Sequence, residues 1–201
     1  MHEEASLFTR FIKKMFPQYF KDKLVLDVGS GDINGNNSYL FENCSYIGND
    51  VTKAPNVTIV SKTKDLPFNN NAFDTIISTE CFEHDPEYKQ SFLKIYDMLK
   101  PNGLFLFTCA STNRREHGTR RTSMQDSYGT IAQLSDMQDY YKNLTVEDLN
   151  EVLNLNSLFS YWDSYYNSAS CDLYFFGIKV SEKEDYPIYL ANSTVSTKKN
   201  I

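Results

Sequence analysis

The chain of 201 residues has little cysteine, less positive than negative charge, and no long apolar run. Its four cysteines, Cys44, Cys81, Cys109 and Cys171, are far apart and form no C-x-x-C pair. They read as reduced thiols in or beside the core rather than as metal ligands. Lysine and arginine number 20 against 26 acids, a net charge of -6 with pI near 5.1. That balance gives no general electrostatic grip on a nucleic-acid backbone, so nucleic acid is disfavoured as a partner. No apolar run approaches membrane-spanning length, and no early segment combines a charged start with the apolar middle of a signal peptide. A soluble, cytoplasmic protein without a membrane span is expected. No internal repeat or linker divides the chain, and its length suits one domain. That domain is expected over 1–180, with an insertion at about 111–143, followed by a polar tail over 181–201.

What is present is an alternation of apolar segments. Leu7, Phe8, Phe11, Ile12 and Met15 recur at three- and four-residue steps before Pro17 and predict an amphipathic helix that packs on a sheet. "KLVLDVG", "SYIGND", "NVTIVS" and "AFDTIIST" have the length of buried parallel strands. Tyr88 to Leu99 carries Phe92, Ile95, Tyr96 and Leu99 along one helical face, is stopped by "KPNG", and leads into the strand "GLFLFTCA". In "NLTVEDLNEVL", Thr145 is a helix cap with Asp148 in the first turn, and "LFSYWDSYY" and "CDLYFFGIKV" are two closing strands. The fold class expected is α/β: a single Rossmann-like, doubly wound sheet of seven strands, mostly parallel, with an antiparallel closing strand and a lid insertion.

The first strand runs into "GSGDINGNN". A glycine-rich turn there lets backbone amides approach a polar ligand at the carboxyl end of the sheet. Gly29 and Gly31 supply the close approach, and Asp27 can meet a cationic amino group. Asp50 lies about 20 residues on, where an acid meets ribose hydroxyls in nucleotide folds. The turn is not G-x-G-x-x-G, and the chain is short for a dehydrogenase with its own substrate domain, so nicotinamide cofactors fall behind.

The order "LVLDVGSGDINGN", "YIGNDV", "DLPFNNNAFDTIISTECFEH", "LKPNGLFLFTCA" resembles the successive motifs of class I S-adenosylmethionine-dependent methyltransferases, from about Leu24 to Ala110. "GSGDINGN", "FEHDP" and "TNRREHGTRRT" further resemble a subgroup of small enzymes that modify glycans and sugars. The resemblance implies that Asp27, Gly29, Ser30 and Gly31 surround the methionine part of S-adenosyl-L-methionine, that Asp50 holds the ribose, and that Val51 lies beside the adenine. It also brings Ser78, Thr79 and Glu80, at the end of the fourth strand, to the cofactor. Lys62 stands where many relatives place an adenine-binding acid; Asp65 or the backbone near Thr63 is the substitute. Asn34 either caps the next helix or meets the cofactor carboxylate. "STECFEH" in place of an "NPPY"-like motif argues against base amino-group chemistry.

Methyl transfer to an alcohol needs alignment and a destination for one proton. His117, beside Gly118 on the polar insertion, is the candidate general base, with loop fastening as the alternative. His84 either lines the methyl-donor pocket or orients its own turn. Arg114, Arg115 and Arg120, in the same insertion as Tyr128, are candidate contacts to an acceptor phosphate or carboxylate, with a solvated charge cluster as the alternative. Glu80, Glu83, His84 and Asp85 can in principle hold a divalent ion, but a short acidic run fixes no geometry, so no metal ligand is assigned. The expectation is sugar O-methylation, with the acceptor a deoxyhexose of a glycan or an activated sugar, by a chain that is one domain of, or partner to, glycan-building enzymes. A small non-sugar acceptor and a noncatalytic cofactor-binding module are the alternatives.

Overall fold

The computed structural model describes residues 2–181. Seven strands form one sheet: β1 (Leu24–Val28), β2 (Ser45–Asp50), β3 (Ile59–Val60), β4 (Phe73–Thr79), β5 (Leu99–Ala110), β6 (Phe159–Asn167) and β7 (Asp172–Lys179). Their order is β3-β2-β1-β4-β5-β7-β6. The first five strands pair in parallel, and β7 runs antiparallel to both β5 and β6. Because the chain leaves β1 toward β2 on one side and returns to β4 on the other, a crevice opens at the carboxyl ends of β1 and β4.

Alternation along β5 builds the two layers. Phe105 and Phe107 face one side with Phe82, Phe92, Ile95 and Phe175, under helices α2 (Tyr88–Met98), α4 (Val146–Val152) and α5 (Leu155–Leu158). Leu104 and Leu106 face the other, with Val25, Ile77 and Phe176, under α1 (Glu3–Met15). Phe92 and Phe107 are fully enclosed, and truncating either to alanine costs about 3–5 kcal/mol. α2 buries Tyr88, Ser91, Phe92, Ile95 and Met98, a helical stripe, and ends where Leu99 turns extended. α4 begins at the expected cap: Thr145 Oγ1 accepts from the Asp148 amide at 3.4 Å and Asp148 returns the bond to the Thr145 amide at 2.9 Å.

Three expectations are corrected. The buried stripe of α1 is Ala5, Phe8, Thr9 and Ile12, whereas Leu7, Phe11 and Met15 face outward. The apolar run around Val57 yields only a two-residue β3. No α-helix follows the glycine turn: residues between β1 and β2 form loop and one 3₁₀ turn, Ser38–Leu40. There Asp32 accepts from the Gly35 amide at 2.7 Å and Asn36 from the Ser38 amide at 3.0 Å, local bonds that compete with a helical ladder.

The insertion after β5 holds a short helix α3 (Tyr128–Ile131) in otherwise irregular chain, and re-enters the body where the Leu144 amide donates to the Ala110 carbonyl at 3.0 Å. The polar tail lies, from 182 onward, outside the described residues. Among the described residues no helix is long and apolar enough to cross a membrane, and the four cysteines are free thiols.

Candidate cofactor and active site

A cavity of about 240 Å³ opens at the β1/β4 crevice, walled on one side by the glycine turn and on the other by the insertion. Gly29 has φ +69°, and a side chain there would place Cβ 2.4 Å from Cys81 Sγ. At Gly31, Cβ would lie 2.2 Å from the Tyr128 ring and 2.7 Å from Asp50 Oδ2. Both positions therefore demand glycine. The Gly31 amide donates to Asp50 Oδ2 at 3.0 Å and the Val51 amide to Asp50 Oδ1 at 2.7 Å, which fixes this carboxylate at the tip of β2. Burial nonetheless pushes Asp50 up from the ordinary carboxylate range.

Asp27 is enclosed at the end of β1. It accepts from the Tyr46 hydroxyl and, at 3.3 Å, from Asn37 Nδ2, which also reaches Thr79 Oγ1 at 3.1 Å. Burial outweighs these bonds and pushes the Asp27 carboxyl up to about 7. Asn37, buried and on the cavity wall, is a site residue that sequence reasoning missed.

Of the other expected cofactor contacts, Ser30, Asn34, Val51, Thr63, Thr79 and Glu80 line the cavity. Asn34 caps no helix, because none forms there. Asp65 lies outside on an exposed turn, ion-paired to Lys64 at 3.0 Å. Ser78 is sealed within the sheet, donating to the Val28 carbonyl at 2.8 Å. Lys62 bridges Glu87, at 2.7 Å, and Asp136, tying the insertion to the body.

Beside the cavity, a 3₁₀ turn, Phe82–His84, meets the insertion. His84 and His117 pack edge to face at 5.0 Å between centroids, with Tyr141 5.0 Å from His117. Gly118, at φ +68°, is in contact with His84: a Cβ there would lie 2.5 Å from His84 Cε1. Burial, and then the neighbouring His117, push His84 down to about 3, so it is neutral under ordinary conditions. Glu83 is fully buried, and burial followed by the Glu80 charge pushes its carboxyl well up, against the backbone amides of Glu83 and Ala110. His117 Nε2 lies 3.8 Å from Glu83 Oε1, while its Nδ1 faces the Arg115 carbonyl at 3.2 Å.

The arginine cluster divides. Arg114 lines the cavity and is held by the Ser170 carbonyl at 2.5 Å and Asp172 Oδ1 at 3.1 Å. Arg115 points to solvent, and Arg120 pairs with Asp139 on the outer surface, so neither reaches the cavity. Tyr128 does, with its hydroxyl on the Asp32 carbonyl at 3.2 Å. His2, which carried no signal in the sequence, also lines the cavity. Its Nε2 lies 2.9 Å from Asp172 Oδ2 and 3.2 Å from Glu80 Oε2, and those acids, Asp172 first, raise its pKa to about 10. The four-residue metal set suggested by the sequence is not assembled: Asp85 is engaged by Ser91 Oγ at 2.6 Å and the Glu87 amide at 2.8 Å.

The strand order, the crevice at its reversal and the glycine-acid wall are those of a methyltransferase fold, and residues 26–107 match the methyltransferase domain family. The chain thus has the fold of class I S-adenosylmethionine-dependent methyltransferases. Similar solved structures include phosphoethanolamine N-methyltransferase 2 of Haemonchus contortus in complex with S-adenosyl-L-methionine: 18% identity, TM-score 0.57, 88% of this chain and 53% of that one. The chain therefore spans about half the length of that enzyme. The Burkholderia thailandensis 1,6-didemethyltoxoflavin-N1-methyltransferase, with S-adenosylhomocysteine bound, aligns at 13% identity and TM-score 0.54, over 90% of this chain and 92% of its own. A SAM-dependent methyltransferase from Aquifex aeolicus aligns at 15% and 0.57, over 85% and 89%. No curated protein matches the sequence significantly.

Proposed function

We propose that this chain transfers a methyl group from S-adenosyl-L-methionine to a hydroxyl of a polar acceptor, and that the acceptor is a sugar, as a deoxyhexose of a glycan or an activated sugar. The observation that carries the oxygen-directed reading is the convergence of Glu83, His84 and His117, whose two histidines line the cavity. An alcohol must lose a proton as the S–CH3 bond breaks and the O–CH3 bond forms, and these groups are the proton-handling end of the site. In this reading Asp27 meets the cofactor ammonium and Asp50 the ribose, while the glycine turn admits the methionine part; Arg114 and Tyr128 bound the acceptor.

Support for a hydroxyl-rich acceptor comes from the polar lining of the cavity, where Glu80, Arg114 and His117 offer hydrogen-bonding groups to sugar hydroxyls. Its place as one domain of, or partner to, glycan-building enzymes belongs to the same proposal. The test is a methyl-transfer screen over deoxyhexose glycosides, nucleotide sugars, small alcohols and small amines. Transfer to sugar oxygen supports the reading; transfer confined to amines refutes it. His117→Ala is expected to keep S-adenosylhomocysteine binding and to lower kcat by about 100-fold, within the range of general-base contributions; full activity across pH would remove His117 from the chemistry.

A further inference from the structure

We infer that Glu83, His84 and His117 form a binding site for a divalent first-row transition-metal ion at the acceptor end of the cavity. One carboxylate oxygen and one ring nitrogen from each histidine lie within 4.8 Å of one another. Glu83 is 0% and His84 6% exposed, yet both oxygens of Glu83 and both ring nitrogens of His84 lack a hydrogen bond of ordinary geometry. Each such orphaned group costs about 1–3 kcal/mol, and native interiors rarely keep several together unless something else satisfies them. A cation at the point of convergence takes the Glu83 carboxylate and one ring nitrogen of His84.

The local chemistry fits that occupant. His117 Nδ1, 3.2 Å from the Arg115 carbonyl, donates there in the neutral tautomer, which leaves the Nε2 lone pair facing Glu83. Two imidazoles and a carboxylate suit zinc, iron(II), cobalt(II) or manganese(II) better than magnesium or calcium. Both histidines line the cavity, so the coordination positions left open face the acceptor.

The second cluster of this kind, His2, Glu80 and Asp172, is a poorer host. It already contains the His2 charge and, at Asp172, the Arg114 guanidinium.

The existence of the site is independent of the proposed reaction; its role in catalysis rests on that reading. An acceptor hydroxyl bound to the ion has a lowered pKa and gives its proton to solvent through the cavity mouth. The oxygen then takes the methyl carbon as the S–C bond breaks, and S-adenosylhomocysteine leaves. His117 serves here as ligand, and the ion takes over the activation of the oxygen.

The test is calorimetric titration of the metal-stripped, untagged chain with zinc and cobalt(II), with magnesium as control, apart from any cofactor or acceptor. One saturable zinc or cobalt site per chain is expected, weakened at least about tenfold by Glu83→Gln and by His117→Ala and absent for magnesium. No saturable site, or one unchanged in both substitutions, overturns the inference. Should a substitution unfold the chain, X-ray absorption at the zinc edge of the wild-type protein decides instead: two imidazole ligands support the site, and one or none refutes it. Zinc uptake is read without methyl transfer, so loss of the ion with sugar methylation intact overturns this inference alone. Uptake with no transfer to any hydroxyl overturns only the reaction.

Discussion

Protonation of Asp27 should set how tightly the cofactor binds. Enclosed between Tyr46 and Asn37, its carboxyl is pushed from 3.8 to about 7, a rise of about three units, or about 4 kcal/mol of preference for the neutral form. Raised in the folded state, this group contributes stability that is full below pH 3.8 and lost as pH climbs through about 7. The empty protein is therefore weakened at neutral pH by a charge awaiting a partner. In the proposed reading the cofactor ammonium is that partner and needs the carboxylate. Below about pH 7 the affinity for S-adenosylhomocysteine should change about tenfold per pH unit and level off above it, about 30-fold between pH 5.5 and 8. Asp50, raised in the same sense by burial, adds at the acid end. Asp27→Asn removes the Asp27 part: binding at pH 8 falls, its dependence on pH flattens, and the empty protein melts no lower than wild type at pH 8. Calorimetry in two buffers of different ionisation enthalpy reads both affinity and proton release. A flat wild-type profile, or an Asn variant with the same slope, would refute the reasoning.

Asp50→Ala removes the acceptor of the Gly31 and Val51 amides together with the proposed ribose contact; S-adenosylhomocysteine affinity should fall about 10- to 100-fold, from about 1.5–3 kcal/mol per charged hydrogen bond. Gly118→Ala forces Cβ against His84 at a left-handed φ. It should cost about 1–3 kcal/mol in urea denaturation and lower methyl transfer more than cofactor binding. Lys62→Met cuts the bridge to Glu87 and Asp136. These half-exposed pairs hold about 1 kcal/mol or less, so the melting temperature should barely move while amide exchange over 126–137 quickens.

The strands and the helices α1, α2 and α4 were legible because each carries a period or a cap that local chemistry enforces, as in the Thr145–Asp148 box. The loop after β1 misled because Asp32 and Asn36 bond to nearby amides and replace an expected helix by turns. Asp27, Gly31 and Asp50 could be placed from the strand-turn pattern, since parallel strands deliver their ends to one edge. His2 could not: its partners Glu80 and Asp172 are distant in sequence, and only the packing of α1 on the sheet brings it to the cavity. The arginines were ambiguous because charge alone does not say which way a loop residue faces; Asp139 draws Arg120 outward, while Asp172 holds Arg114 inward. Burial of Glu83 is likewise a property of the assembled sheet and insertion.

The most direct measurement is calorimetric titration of the folded chain with S-adenosyl-L-methionine and S-adenosylhomocysteine, followed on the same preparation by the sugar-methylation screen. Binding of both, with methyl transfer to a sugar hydroxyl, is the predicted result. Failure of a folded sample to bind either form would contradict the assignment of the Asp27–Gly31–Asp50 wall to this cofactor, and binding with transfer only to nitrogen would contradict the hydroxyl acceptor.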